Sequence, residues 1–154
     1  MPHFGYSFAR YNPAVHVRAS AREVDVSHKT AREVCKSIVG MTIPQARSFL
    51  EDVIAFKRAV AFRRFKLKSG HRSELQGFAA GGYPVKAAAE VLKVLENLQS
   101  NAEFRGLNPD RMKILHAAAH AGRRIPGFVP RAFGRSSPSM KTLVHIELVG
   151  TEVA

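Results

Sequence analysis

Residues 111–149, RMKILHAAAHAGRRIPGFVPRAFGRSSPSMKTLVHIELV, decide the fold. The first part, Arg111 to Ala121, alternates, with Met112, Ile114, His116, Ala118 and His120 on one face. The last part, Lys141 to Val149, alternates as well: Val144, Ile146 and Leu148 share one face, His145 and Glu147 the other. Such period-2 alternation predicts half-buried strands. Between them lies GRRIPGFVPRAFGRSSPSM, too long for a tight hairpin turn and free of acidic residues. It carries Arg123, Arg124, Arg131 and Arg135, interleaved with Ile125, Phe128, Val129 and Phe133 and punctuated by Gly and Pro. A long extended loop inside a compact domain is usually functional or disordered. Arginines make planar, bidentate contacts to phosphate, and aromatic rings offer faces on which bases stack. The arm is therefore expected to lie against nucleic acid. Measured from Arg111 to Pro126, an extended strand would reach up to about 50 Å.

Working outward, 154 residues suit one domain spanning 1–154, with an arm over about 111–149 and an irregular basic segment over about 56–83. The formal net charge of +12 and a pI near 10.6 form the electrostatic footprint of a polyanion binder. Cys35 is the one cysteine, which excludes a disulfide framework and a cysteine-rich zinc site; it reads as a small core residue. No apolar leader and no run of 18 apolar residues occurs, so neither secretion nor a membrane partner is expected, and the setting is cytoplasmic.

Taken in order, residues 1–13 hold Phe4, Tyr6, Phe8 and Tyr11 without periodicity, an extended lead-in docked by its aromatics. Val15, Val17, Ala19 and Ala21 alternate with polar residues, Arg18 among them. The apolar phase shifts at Val24 and Val26, which predicts a bulge near Arg22 and Glu23. Ser27 suits an N-cap, and Ala31, Val34, Cys35, Ile38 and Val39 make one helical face up to Gly40, which suits a left-handed C-cap. Thr42 with Gln45 forms a capping box over a second helix with Ala46, Phe49, Leu50, Val53 and Ile54 inward. Two short helices around a glycine could be a helix-turn-helix, but only Gln45 and Arg47 offer base-reading side chains at the second helix's start. From Phe56 to Tyr83 periodicity fades while Lys57, Arg58, Arg63, Arg64, Lys66, Lys68 and Arg72 accumulate among Phe56, Phe62, Phe65 and Phe78. This is a second surface suited to RNA. Pro84 opens a third helix with Ala88, Val91, Leu92, Leu95 and Leu98 inward, and Gly106 stops it. The order β-α-α-α-β-β predicts an α+β fold in which three helices cover one face of a three-stranded antiparallel sheet.

Catalytic chemistry has little to rest on. His116 and His120, four apart on a strand, are expected about 13 Å from one another, too far to share a metal ion. Gly81-Gly82-Tyr83-Pro84 lacks the lysine register of a phosphate-binding loop, and neither a nucleophile elbow nor paired carboxylates stand out. No enzyme, cofactor or metal is expected.

Several segments resemble one family. Pro130-Arg131-Ala132-Phe133-Gly134-Arg135-Ser136 is similar to a signature on the returning arm of the universal large-subunit ribosomal protein called L twenty-two in bacteria and L seventeen in eukaryotes. Ser100 to Leu107 (SNAEFRGL), Val60 to Phe65 (VAFRRF), Gly82-Tyr83-Pro84 and Lys29 to Glu33 (KTARE) resemble segments of its archaeal and eukaryotic form. The resemblance covers essentially the whole chain. It departs from the eukaryotic pattern at Ala79-Ala80-Gly81, where tryptophan-bearing sequence is expected, and at Ile125-Pro126-Gly127-Phe128, which matches no family motif.

The resemblance implies an α+β body on the large subunit and a long projecting basic β-hairpin reaching into ribosomal RNA, its tip lining the tunnel for nascent protein. Arg123, Arg124, Arg131 and Arg135 would then contact RNA. So would Arg18, Lys141 and the block Lys57, Arg58, Arg63, Arg64, Lys66, Lys68 and Arg72. Ile125, Pro126, Gly127, Phe128 and Val129 would line the tunnel. Expected partners are large-subunit ribosomal RNA, neighbouring ribosomal proteins and the nascent polypeptide, with no homo-oligomer. The competing reading is a DNA-architectural protein whose basic β-arm wedges into a minor groove.

Overall fold

Strand β1 (His16–Val24) sends Val17 and Ala19 inward, as its alternation predicts; a computed structural model describes residues 5–153 of the chain. Its register breaks between Ala21 and Val24, and Glu23 takes a φ of 54°. The phase shift in the sequence is thus a bulge.

Helix α1 (His28–Ile38) buries Ala31, Val34, Cys35 and Ile38. Ser27 occupies the N-cap, but its hydroxyl makes no capping bond. Its carbonyl instead accepts from the Ala31 N–H and the Thr30 hydroxyl. Gly40 is left-handed (φ 90°), one residue beyond the extended C-cap Val39. That turn lets its N–H donate to the Ile114 carbonyl at 2.8 Å, joining the helices to the sheet. Helix α2 (Ile43–Ile54) starts with the expected Thr42–Gln45 capping box and buries Ala46, Phe49, Leu50 and Val53. Gln45 is occupied in that box, and Arg47 donates to Gln99 Oε1 at 2.8 Å. Neither side chain is presented for base reading, which removes the helix-turn-helix alternative.

The irregular segment is bracketed by β2 (Val60–Ala61) and β3 (Gly81–Gly82), paired antiparallel. At Gly81 a Cβ would stand 2.5 Å from the Val60 carbonyl oxygen, so any other residue would force the strands apart. Helix α3 (Val85–Phe104) follows Pro84 and buries Ala88, Val91, Leu95 and Leu98, together with Ala87, Val94 and Ala102; Leu92 is partly buried. Left-handed Gly106 (φ 73°) closes it. A 3-10 turn at Pro109–Arg111, capped by the Asn108 side chain, leads into the last two strands.

Those strands, β4 (Met112–Pro130) and β5 (Ser136–Glu152), form with β1 an antiparallel sheet of order β1-β5-β4. The helices cover one face, where Leu95, Leu98, Met112, Ile114, Ile146 and Leu148 are all fully buried. The architecture is the expected α+β one. Across the opposite face lies the lead-in, whose Tyr6, Phe8 and Tyr11 pack on Arg18, His16 and His116. Phe4 lies outside the described residues.

Two expectations about β4 need correction. Its alternation is not continuous, because the register shifts between Ile114 and His116. A one-residue bulge exchanges the faces of all that follows. Met112 and Ile114 face the core, but His116, Ala118 and His120 pair with Val149, Glu147 and His145 on the far side. The arm, moreover, is not the extended loop between strands that its residues alone predict but the projecting β-hairpin that the family resemblance implies. Pairing continues from Arg124↔Thr142 to Pro130↔Ser136, so it is a two-stranded ribbon. Its turn is Ala132-Phe133-Gly134-Arg135, with φ of 56° and 66° at the central pair and an Arg135 N–H bond to the Ala132 carbonyl. Two consecutive positive φ values define a type I′ hairpin turn. Ile125 to Val129, expected at the tip, lie instead on the shaft, paired with Lys141 to Ser137. Only the part beyond Gly122 extends past the pairing with β1, which shortens the reach from about 50 Å to about 35 Å.

Because Leu95 is fully buried between α3 and the sheet, replacing it with Ala is expected to destabilise the fold by about 2–5 kcal/mol, read as a shift in urea midpoint.

Candidate nucleic-acid interface

The ribbon presents its cations at both ends. Arg131 and Arg135 flank the turn, and the Arg131 N–H donates to the Arg135 carbonyl at 2.8 Å, leaving both side chains exposed. Between them Phe133 is 98% exposed, in a left-handed conformation that bulky side chains seldom adopt. Phe128 is 74% exposed and Ile125 and Val129 are half so, on a shaft with neither face covered. Arg123 and Arg124 sit at the root, at the register shift between Ala121 and Arg124. Lys141 is tied to Asp25 at 2.8 Å, so part of its charge is met within the protein. Arg18 lies 4.8 and 4.7 Å over the rings of Tyr6 and Tyr11, where it holds the lead-in while remaining exposed.

The second basic surface has an organiser that sequence reading missed. Glu33, on α1, is 1% exposed, and its carboxylate accepts the backbone N–H groups of Arg63, Arg64 and Phe65 at 3.2, 3.0 and 3.2 Å. Arg32 adds an ion pair at 2.9 Å. Three successive amides drawn to one carboxylate fix a strandless turn and aim its side chains outward. Arg63 then lies over Phe78 (5.3 Å), Arg64 over Phe65 (5.5 Å), Arg72 over Tyr83 (5.3 Å) and Arg58 over Phe49 (4.9 Å). All four arginines are exposed, as are Lys57, Lys66 and Lys68, which make no such stacks among the described contacts. Nothing in the helical spacing of α1 marks Glu33, which lies beside its apolar stripe rather than on it.

Glu147 plays the corresponding part on the sheet's outer face. It is 1% exposed, receives the Ser7 hydroxyl and N–H, and has the Nε2 atoms of His116 and His120 each at 3.1 Å from Oε1. The two imidazoles, expected well apart, thus converge on one oxygen, because their side chains lean together over the intervening residue. Among the described residues, no group of three metal-ligating side chains is arranged to hold an ion. The site's chemistry is that of a carboxylate saturated by donors. Cys35 is inert: burial pushes its thiol up to about 12.

These features describe a class of protein: an α+β body that carries a basic hairpin, acid-free from Gly122 to Met140, and a surface of arginines stacked on aromatic rings. Comparison with known proteins makes the class specific: the model of the family described as Ribosomal protein L22p/L17e matches residues 19–151, and the chain belongs to that family. It is 55% identical over 152 residues to the large ribosomal subunit protein uL22 of Cenarchaeum symbiosum, covering 99% of each chain. The uL22 of Nitrosopumilus maritimus is 48% identical, over 99% of this chain and all of that one. That of Methanocaldococcus jannaschii is 47% identical, over 90% and 88% respectively. Members of the family are structural, and this protein is not an enzyme.

Both carboxylates have consequences for acid stability. Burial raises the Glu33 carboxyl, but the N–H groups of Arg64, Phe65 and Arg63 and the Arg32 guanidinium outweigh it, so its pKa lies below the usual 4.5. Burial likewise raises Glu147, and the Ser7 hydroxyl, His116, His120 and the Ser7 N–H together bring it below 4.5. A depressed folded pKa contributes stability that is complete above the unfolded value and is lost as pH falls through the folded one. The urea midpoint is therefore expected to fall as pH drops from about 5 towards 3. Glu147→Gln is expected to lower the midpoint at neutral pH and to flatten that acid limb.

Proposed function

We propose that this protein, a ribosomal protein of the large subunit by family, binds large-subunit ribosomal RNA through two basic surfaces and lines the nascent-peptide exit tunnel with its hairpin tip. The observation that carries this reading is the ribbon itself, acid-free from Gly122 to Met140 and ending in a tight turn between two arginines. Exposed on both faces, it has too little apolar contact to serve as a core, and it extends roughly 35 Å beyond the body. Its exposed guanidinium groups suit phosphate, and Phe133 and Phe128 suit stacking. The tunnel-facing residues are Arg131 to Arg135, with Ile125 to Val129 behind them along the shaft. The body acts as one domain at the subunit surface, beside neighbouring ribosomal proteins, and the protein functions as a single copy.

Affinity for a ribosomal RNA fragment is expected to fall steeply with salt, with a log–log slope of several units; a slope near zero would remove the polyanion premise. Replacing Arg131 and Arg135 with Ala should reduce that slope by about 1–2 while leaving the melting temperature nearly unchanged.

The tunnel assignment is tested by a photo-crosslinker at Phe133 in ribosomes holding a stalled nascent chain. Labelling of that chain is expected there and not from Glu90, partly buried on α3 of the body. RNA labelling alone at Phe133 would end the tunnel role and leave RNA binding standing.

A further inference from the structure

The groove between α1, α2 and the irregular segment is a cavity of about 500 Å³, lined by Phe49, Arg58, Ala61, Arg63, Glu74 and Gln76 among others. We infer that it receives a single unpaired nucleobase of RNA, stacked on the guanidinium planes of Arg58 and Arg63. The inference rests on the RNA-binding function proposed above and specifies what kind of RNA this surface takes.

Three features favour a base over a phosphate. The two arginines enter the groove with one face already held on an aromatic ring, Arg58 over Phe49 at 4.9 Å and Arg63 over Phe78 at 5.3 Å. A guanidinium held this way offers its opposite plane, and planar stacking is how arginine meets an unpaired base. Glu74 stands in the wall, fixed by the Ala59 N–H at 3.0 Å on Oε2 and the Tyr83 hydroxyl on Oε1. A carboxylate there repels phosphate, yet it can accept from the amino or imino edge of a base, as can the neighbouring Gln76 carbonyl. The volume lies in the range of small-molecule sites, ample for one base and too small for a duplex groove edge with its two backbones. Phosphates flanking the extruded nucleotide are left to the exposed Lys57, Lys66 and Lys68.

The geometry is also pre-organised. Glu33 clamps the amides of residues 63–65, so Arg63 leaves a fixed turn, and Arg58 follows a helix end where the Lys57 and Arg58 N–H groups both donate to the Asp52 carbonyl. Little ordering is required when a base arrives.

The test uses the full chain and two RNA stems of equal length, one fully paired and one with a single bulged nucleotide, tried with each base. Wild type is expected to prefer the bulged stem roughly tenfold. Replacing both arginines, Arg58→Lys with Arg63→Lys, keeps the charge but removes the planes, so the ratio of bulged-stem to paired-stem affinity should fall to about one. Phe78→Leu, which withdraws one supporting ring, should reduce the preference in part. Arg131→Ala with Arg135→Ala should weaken both stems equally. A wild type that binds both stems alike with a steep salt dependence, or lysine variants that keep the full preference, would overturn the pocket and leave the RNA-binding function intact. Binding to neither stem would overturn both.

Discussion

One strand, β5, carries two incompatible environments, and the rest of the structure follows from how that conflict is managed. From Val144 to Gly150 it is buried on both sides, paired to β1 and β4, with the helices on one face and the lead-in on the other. From Ser136 to Met140 it is largely exposed, paired only to β4. The change falls at His145. Opposite it β1 breaks register, between Ala21 and Val24, and two residues nearer the ribbon, opposite Leu143, β4 breaks register between Ala121 and Arg124. The β1 bulge leaves the Glu23 N–H without a ladder acceptor, and His145 Nδ1 takes it at 3.0 Å. On the other side Gly122 lies so close that a Cβ would stand 2.8 Å from His145 Nε2. One imidazole thus fills the gap that two bulges open, and the ribbon leaves the body from that point. Bulges increase local twist, which is how a flat continuation of the sheet becomes a ribbon free of the helical layer.

The buried carboxylates solve a related problem. A lone buried charge is costly unless it is saturated with donors. Glu33 and Glu147 are each saturated by segments that lack regular structure of their own, residues 63–65 and the lead-in at Ser7. In both cases the carboxylate supplies acceptors that no sheet or helix would provide. With 24 lysines and arginines against 12 acids, acidic residues are scarce, and these two serve as organisers of basic segments rather than as surface partners for them. Lys141 and Lys86, by contrast, meet Asp25 in the open, where a pair contributes little.

Much of the body was legible because burial there is one-sided. The stripes of α1, α2 and α3, the capping box at Thr42 and the bulge after Ala21 all leave a periodic signal. The arm was misread for the converse reason. With neither face covered, its strand residues obey no alternation, and Pro126, Gly127 and Pro130 imitate loop punctuation although each keeps a register partner on β5, the prolines without an N–H to donate. The turn hid because Phe133 occupies a left-handed position where Gly or Asn is the usual indicator. The β4 bulge at Leu115 escaped since alanines at 117, 118 and 119 give no contrast between faces. Cationic candidates were identified by type, but their arrangement was not. That Arg63 and Arg58 line one groove, whereas Arg18 steadies the lead-in, depends on contacts between residues far apart in sequence.

A net charge of +12 would oppose compaction if it were spread through the body, since like charges repel within a folded chain. The fold avoids this by exporting charge. Arg123, Arg124, Arg131 and Arg135 are strung along the ribbon, and the block from Lys57 to Arg72 lies on a segment held to the body by β2, β3 and the Glu33 clasp. The core elements α1, α2 and α3 can then pack around leucine, valine and alanine at ordinary density. The same separation gives the two surfaces different mechanics. The ribbon offers charge on a shaft braced only by its own ladder, which suits a path through folded RNA. The clasped segment offers guanidinium planes on a rigid floor, which suits recognition of a base already extruded.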